Sequence, residues 1–167
     1  MKKFKNTKKD NFLASIPKES LDSDKQDIAD RCKFNFSYFD NSQKVGQDFK
    51  DWNKEQLVKF LNKLKEYCKF SLKYWKKQPI GKAKKRKTVY ANYGTFPRKS
   101  DFTHPKHIPH QAEWGRFRLE DDMRLIGFVI PNDYKGKKSK KGFYYDINTF
   151  YIVFLDEKHN FYKSEKR

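Results

Sequence analysis

The chain has 167 residues, a length that corresponds to one domain or to one domain with an appended arm. Hydrophobic residues make up 36% of it and aromatic residues 17%, so we expect a folded core built mainly of aromatic rings, which excludes a chain that is disordered throughout. The net charge of +18, from 39 Lys and Arg against 21 Asp and Glu, favours a polyanionic partner, and nucleic acid is the first candidate.

Cysteine content and hydropathy bear on the compartment. Cys32 and Cys68 are too few for a disulfide framework or a four-cysteine zinc site. The basic segment Met1–Lys9 is not followed by an apolar stretch, and the apolar runs Leu125–Ile130 and Phe150–Leu155 are far shorter than the ~18 residues of a transmembrane helix. We therefore expect a cytoplasmic protein that makes no contact with a membrane.

The N-terminal part of the chain differs from the rest in its pattern. Residues 1–31 mix charged and polar residues with scattered apolar ones, which predicts a partly flexible arm with a short helix near Lys25–Arg31. Cys32–Phe39 alternates between apolar and polar residues and predicts a strand. One face of that strand carries Phe34, Phe36 and Tyr38. Residues 32–167 are then expected to form a single α+β domain.

The next segment has the strongest helix signal in the sequence. Asn53 can serve as the N-cap, Gln56 completes a capping box, and Trp52 and Leu57 stand at the positions of a hydrophobic staple. An apolar stripe with spacings of three and four then predicts one long helix over Lys54–Lys77, packed on a sheet. The stripe consists of Leu57, Phe60, Leu61, Leu64, Cys68, Leu72 and Trp75. The lysines between them either solvate the outer face or extend a phosphate-binding surface.

Positive charge is concentrated in two segments. Residues 51–100 contain 15 basic and 3 acidic residues, a net +12 of the total +18. Their densest part, Lys76–Lys87, cannot form core and predicts a solvated loop that binds phosphates, and a second basic loop lies within Pro131–Asn148. For the second loop, simple solubility is the alternative interpretation. The candidate nucleic-acid-binding residues are Lys76, Lys77, Lys82, Lys84, Lys85, Arg86, Lys87, Lys137, Lys138, Lys140 and Lys141.

A Pro- and Gly-containing segment separates these two basic regions. Asn92–Gln111 is predicted to be a loop, and it contains His104, His107 and His110 at a period of three. In a proline-restricted segment that period would align the imidazoles, so a metal site is geometrically conceivable. No fourth ligand is spaced to join them, and surface polar groups are the alternative. We expect neither a metal nor another cofactor.

The last third of the chain predicts a small twisted antiparallel sheet. Its strands are Glu113–Leu119, Arg124–Ile130 and Phe150–Leu155. Arg124–Ile130 is almost continuously apolar, which is typical of a strand buried on both faces. Because side chains alternate along a strand, Arg116 and Arg118 share a face.

The turn between the first two of these strands decides where Arg124 points. A two-residue turn at Asp121–Asp122 would send Arg124 to the face opposite Arg116 and Arg118. A three-residue turn over Asp121–Met123, which pairs Glu120 with Arg124, places the three arginines together. We prefer the second register because it collects the apolar residues on the other face. Those residues are Phe117, Leu119, Met123, Leu125 and Val129.

Several of these residues suit phosphate chemistry. A guanidinium is planar, matches a phosphate with two hydrogen bonds and keeps its charge in a transition state. The alternative for the arginines is ordinary surface pairing with neighbouring carboxylates. After the last strand, His159 could transfer a proton, Tyr162 could stack on a base and Lys163 could neutralise a phosphate. A lone histidine at a turn can equally be a capping or surface group.

The order of these elements resembles the RelE/ParE-like toxin superfamily, with a residue-level match over Trp114–Ile130 and Phe150–Lys163. Such toxins have a small sheet packed on helices, and many cut messenger RNA, often on the ribosome, without a metal. The resemblance implies a metal-independent endoribonuclease with RNA, or ribosome-bound mRNA, as substrate and an antitoxin as partner. It implies that the three arginines stabilise the scissile phosphate, and that proton transfer or base stacking comes from His159, Tyr162 or Lys163.

Other features depart from that superfamily. The arm and the two basic loops are additions, and Phe34–Asp40 and Phe150–Tyr162 are also similar to segments of uncharacterised bacterial proteins. The fold could therefore be kept and catalysis lost. The alternative function is a non-catalytic RNA- or protein-binding accessory subunit of a nucleic-acid-guided defence complex.

Overall fold

The computed structural model describes residues 6–18, 21, 28–80, 87–119 and 122–163, which form an α+β fold. The helices are α1 (Thr7–Ser15), α2 (Lys54–Tyr67) and α3 (Leu72–Lys77). The strands are β1 (Lys33–Asn35), β2 (Pro79–Ile80), β3 (Lys87–Thr88), β4 (Tyr90–Gly94), β5 (Glu113–Arg118), β6 (Arg124–Val129) and β7 (Thr149–Asp156).

The main sheet is mixed, not purely antiparallel as predicted. Five strands follow one another in the order β1-β7-β6-β5-β4, and β2 and β3 form a separate hairpin. The contacts of β4 with β5, β5 with β6 and β6 with β7 are antiparallel, but β1 runs parallel to β7, with Lys33 opposite Thr149. A parallel pair needs a long crossover, and here α2, α3 and the other strands lie between its two members in the sequence.

The long helix that the apolar stripe predicts is two helices. The capping box at Asn53 and Gln56 is present and begins α2 as predicted. The chain leaves the helix after Tyr67 and starts again at Leu72, because the Ser71 side chain accepts the Tyr74 N–H and caps α3. The indole of Trp75 donates to the Tyr67 carbonyl at 2.7 Å and ties the second helix to the end of the first.

This break changes the buried stripe. Phe60, Leu64, Leu72 and Trp75 are buried as predicted, whereas Leu61 is 61% exposed. Tyr67, which the stripe did not include, is 3% exposed and packs between Phe34, Trp75 and Phe117. The helices therefore reach the sheet through aromatic residues more than through leucines.

Two cores lie on opposite faces of the sheet. On one face, α2 and α3 pack on strand residues such as Phe117, Leu125 and Phe150. The other face is covered without helices, by the segment between β4 and β5 and by the turn after β7, which contribute Phe102 and Phe161 among others. Every residue of β6 is buried, which confirms the prediction from its continuous apolar run.

Two other predictions need correction. The segment predicted as a loop from Asn92 begins in β4, which pairs with β5 as an edge strand. The strand predicted over Cys32–Phe39 ends at Asn35, so Phe34, Phe36 and Tyr38 do not share one face of a strand as predicted. Phe34 packs in the helix-side core, Phe36 is 42% exposed, and Tyr38 packs on the other face.

Residues 6–18 of the predicted arm contain α1. Asn6 caps this helix by accepting the Lys9 N–H, and no residue of α1 is buried. Of the helix predicted near Lys25–Arg31, residues 25–27 lie outside the described ranges, and residues 28–31 form turns. Within those ranges, no helix combines the length and the apolar character needed to cross a membrane.

Two buried tyrosines give a matched test of this core. Tyr90 is 3% exposed, its hydroxyl has no hydrogen-bond partner within the described residues, and burial raises its pKa. We expect Tyr90→Phe to leave the free energy of unfolding unchanged or to raise it by about 1 kcal/mol, since an unsatisfied group is removed. Tyr67→Phe removes a hydroxyl that donates to the Arg118 carbonyl and should lower the same quantity by about 1–3 kcal/mol.

Urea unfolding at several pH values separates these effects. Above about pH 10 the unfolded chain releases the Tyr90 proton while the native chain keeps it, so the stability of the wild type should fall as the pH rises. Tyr90→Phe should flatten that fall. A larger loss of stability in Tyr90→Phe than in Tyr67→Phe at pH 7 would contradict the conclusion that the Tyr90 hydroxyl lacks a hydrogen-bond partner and the Tyr67 hydroxyl has one.

Candidate active site

The pairing of β5 with β6 brings the three predicted arginines to one face. Arg118 lies opposite Arg124, and Arg116 lies opposite Ile126. The predicted partner of Arg124 was Glu120, which is wrong by two residues, because the turn closes earlier, with the Leu119 N–H donating to the Met123 carbonyl. A shift of two residues keeps every side chain on its face, so the preferred face assignment is confirmed. The apolar set of Phe117, Leu119, Met123, Leu125 and Val129 packs in the helix-side core.

Arg124 is the most buried member of the cluster. It is 5% exposed, whereas Arg116 and Arg118 are half-buried. Burial lowers the pKa of the Arg124 guanidinium, and the charges of Arg118 and Arg116 lower it further, with Asp122 acting in the opposite direction. Since a guanidinium stays protonated in proteins, the result is a fixed positive charge held against repulsion and loss of water.

The polar neighbours of Arg124 define the mouth of the site. Its Nη1 donates to the Met123 carbonyl at 2.9 Å, while its Nη2 lies 3.5 Å from Nε2 of His159 and 3.9 Å from Oδ1 of Asp122. The same Asp122 oxygen lies 3.5 Å from Nε2 of His159. A buried cation, an imidazole and an exposed carboxylate therefore meet at one point.

A buried carboxylate holds His159 in this position. Asp156, which is 1% exposed, accepts the backbone N–H groups of Asn160 and Phe161, both at 2.9 Å. His159, which lies between Asp156 and these two residues in the sequence, adopts a left-handed backbone with φ of 58°. The phenyl ring of Phe161 enters the core. The turn thus directs the imidazole back toward the end of β6, where Arg124 stands opposite Asp156.

Tyr162 stacks on Tyr93 of β4, which is not among the predicted site residues. The two rings are 4.6 Å apart and 6° from parallel, and Tyr162 is 51% exposed. Burial raises the pKa of Tyr93, and Arg116 opposes that rise through its charge and a hydrogen bond. Tyr93 was missed because its segment was predicted to be a loop. The β-favouring run Thr88-Val89-Tyr90 just before it could have indicated a strand.

The other predicted catalytic residue, Lys163, is engaged elsewhere. Its Nζ lies 2.6 Å from Oδ1 of Asp101, and both side chains are partly exposed. The ammonium is therefore paired with a carboxylate of the segment before β5, not with the arginines. Of the six predicted catalytic residues, the structure brings Arg116, Arg118, Arg124, His159 and Tyr162 together.

The first basic segment adjoins this cluster. Lys76 and Lys77 are exposed at the end of α3, and Lys87 is exposed in β3 of the hairpin. Nη1 of Arg116 donates to the Thr88 carbonyl at 3.4 Å, so the base of the hairpin touches the arginine cluster. Lys82, Lys84, Lys85 and Arg86 lie outside the described residues.

The second basic segment lies at the other end of the sheet. Lys137, Lys138, Lys140 and Lys141 are all exposed. They surround a tight turn in which the backbones of Lys138 and Tyr144 form an isolated antiparallel β-bridge. The Nζ of Lys138 lies 4.8 Å from the centre of the Tyr144 ring. The turn follows the Val129 end of β6, and Arg124 is at the opposite end, about 17 Å away along the strand. One ligand can contact both only if it spans the sheet.

The three loop histidines do not converge. His104 contacts the rings of Phe96 and Trp114, and His107 stacks on Tyr38 at 5.9 Å. Among the described residues, no group of three or more His, Cys, Asp or Glu side chains could hold a metal ion. His104 and His107 instead help to pack the segment that covers the second face of the sheet.

Comparisons with protein-family models, with curated proteins and with solved structures give no match for this chain. The geometry of the cluster is therefore the basis on which a function can be proposed.

We expect Asp156→Asn to loosen the turn that carries His159. Asparagine offers one acceptor oxygen and a competing NH₂ donor, so one of the two backbone N–H groups loses its partner. The free energy of unfolding should fall by about 1–3 kcal/mol. Hydrogen exchange should accelerate at the amides of Asn160 and Phe161.

Asp101→Asn is the matched control, because it removes a carboxylate from an exposed ion pair with Lys163. It should change stability by less than about 1 kcal/mol and should leave exchange at Asn160 and Phe161 unaltered. Equal effects of the two variants would show that Asp156 does not hold the turn.

Proposed function

We propose that the protein is a metal-independent endoribonuclease of the RelE-like type that acts on single-stranded RNA. The observation that carries this proposal is Arg124, which is almost excluded from water while Arg118 lies directly opposite it. Like charges in directly opposite sheet positions are destabilising, so this arrangement has a cost in stability. A phosphate that binds across both guanidiniums would offset it with short, charge-assisted hydrogen bonds.

The chemistry that suits this cluster is attack of the RNA 2′-hydroxyl on the adjacent phosphorus. The 2′-oxygen forms a bond to phosphorus, the bond to the 5′-oxygen breaks, and the products are a 2′,3′-cyclic phosphate and a 5′-hydroxyl. The reaction needs a base for the 2′-hydroxyl, cations for the charge on the phosphoryl oxygens and an acid for the leaving oxygen.

Each role has a candidate in the cluster. Arg116, Arg118 and Arg124 would stabilise the phosphoryl charge, and His159 would accept or deliver a proton beside Arg124. Tyr93, which burial keeps protonated and which contacts Arg116, would supply the second proton-transfer group in place of Lys163. Asp122 competes with the phosphate for Arg124.

RNA binding would use surfaces on both sides of the cluster. The outer face of Tyr162 is exposed and can stack on a base, since its inner face lies on Tyr93. Lys76, Lys77 and Lys87 would continue the positive surface along the hairpin. The lysines around Lys138 would contact an RNA strand that runs across the β-sheet.

Cleavage of labelled RNA in the presence of a chelator tests the reaction. We expect the wild type to cut and to leave a 2′,3′-cyclic phosphate. His159→Ala should lower the rate by about 10²–10⁴-fold and Arg118→Ala by about 10²–10³-fold, while both still bind RNA. His110→Ala, which alters an exposed histidine of the loop, should keep the full rate.

The assay is run with and without ribosomes, so that a requirement for ribosome-bound mRNA is detected. If the chelator stopped cleavage while His159→Ala left it unchanged, this mechanism would be wrong. Binding of RNA without cleavage under both conditions would favour the accessory-subunit alternative.

Binding of single-stranded RNA should depend steeply on salt. If about four to six phosphates are neutralised, the slope of log K against log salt concentration should be near −3 to −4. Replacement of Lys137, Lys138, Lys140 and Lys141 by alanine should reduce the magnitude of that slope. It should not change the single-turnover rate at saturating RNA, because these residues lie at the far end of the sheet. A slope near zero for the wild type would contradict charge-dominated binding.

A further inference from the structure

A cleft of about 380 Å³ lies on the helix side of the β5–β6 turn and has no role in the reaction above. Its apolar wall consists of Trp52, Phe60, Leu119 and Met123. This volume lies within the range of small-molecule sites, about 300–1,000 Å³, and has room for a nucleobase. An apolar cleft lined by an indole and a phenyl ring suits the faces of a nucleobase.

The polar wall of the cleft contains two carboxylate acceptors, Asp122 and Glu157, beside the side chains of Gln56, Lys59 and Lys63, which can donate. Trp52 donates its indole N–H to Oε1 of Gln47 at 3.0 Å, and Nε2 of Gln47 donates to Oε2 of Glu157 at 2.6 Å. This chain of hydrogen bonds fixes Glu157 relative to the apolar wall. A carboxylate has about four acceptor positions, and Gln47 uses one of them. The carboxylate of Asp122 lines the same cleft.

Asp122 also connects the cleft to the arginine cluster. One of its oxygens lies 3.5 Å from His159 and 3.9 Å from Arg124, on the other side of the turn. A nucleotide whose phosphate lies on Arg124 therefore has its base within reach of the cleft.

Donor and acceptor chemistry selects among the four bases. A carboxylate accepts and cannot donate, so it favours an edge with two adjacent donors. Guanine presents its ring N1–H and its N2 amino group side by side. Adenine and cytosine place a ring acceptor next to their single amino group, and uracil flanks its one N–H with two carbonyl oxygens, so each of these edges brings an acceptor against the carboxylate.

We infer that this cleft binds the guanine base of the nucleotide adjoining the cleaved phosphate, with Glu157 as the residue that determines specificity. The inference deepens the proposed ribonuclease function and rests on it for the position of the phosphate. It adds a base preference that the arginine cluster cannot supply, since phosphate contacts carry no sequence information.

Tryptophan fluorescence gives a direct test. Trp52 lines the cleft and is partly exposed, whereas Trp75 and Trp114 are 6% and 1% exposed, so a base in the cleft should quench mainly Trp52. The protein is titrated with guanosine, adenosine, cytidine and uridine 3′-monophosphates. We expect the guanosine nucleotide to bind at least about tenfold more tightly than the other three. Trp52→Phe should remove the signal.

Glu157→Gln should reduce the guanosine preference to less than about threefold, because the amide turns a donor toward the base. Asp133→Asn, which removes one charge from an exposed residue at the far end of the sheet, should keep the preference. Equal binding of the four nucleotides, or a preference that survives Glu157→Gln, would overturn the inference.

Cleavage assays on the same protein samples keep the two proposals apart. Cleavage of RNA without nucleotide discrimination would overturn the guanine cleft and leave the ribonuclease. Discrimination that depends on Glu157, found in a protein that cuts no RNA, would support the cleft and overturn the ribonuclease.

Discussion

The site depends on one constraint: the Arg124 guanidinium keeps its proton although almost all of the water around it is removed. Arg124 occupies the first position of a strand whose every residue is buried, and Arg118 stands opposite it. Such a pair weakens the sheet locally and persists because the rest of the sheet is well packed on both faces. The fold therefore holds two positive charges close together at this point.

The groups around Arg124 come from separate parts of the chain. Tyr93 is on an edge strand, Asp122 is in a turn, and His159 is in a turn held by the buried Asp156 carboxylate. The pairing of Asn92 and Gly94 with β5 positions Tyr93 between them, and the two backbone hydrogen bonds to Asp156 hold the turn that carries His159. A site assembled in this way draws its geometry from several separate segments and not from one loop.

The parts of the fold that depend on local pattern could be predicted from the sequence. The capping box at Asn53 and the common face of the three arginines follow from spacing alone, and an error of two residues in the turn left that face unchanged. Strand order has no such local signal, so the parallel position of β1 was not predicted. The role of Asp156 could not be predicted either, because it depends on how the following turn folds. Only that fold brings the N–H groups of Asn160 and Phe161 to the carboxylate.

The position of β7 has a consequence for the order in which the protein can fold during synthesis. This strand lies between β6 and β1, so β1 must wait, unpaired, until the ribosome has made Thr149–Asp156. The hairpin of β5 and β6 joins neighbouring segments and can close early, whereas the β1–β7 contact closes a very long loop. The arginines are thus in place before His159 arrives. In the proposed ribonuclease, a nascent chain would therefore bind phosphate before it could transfer a proton.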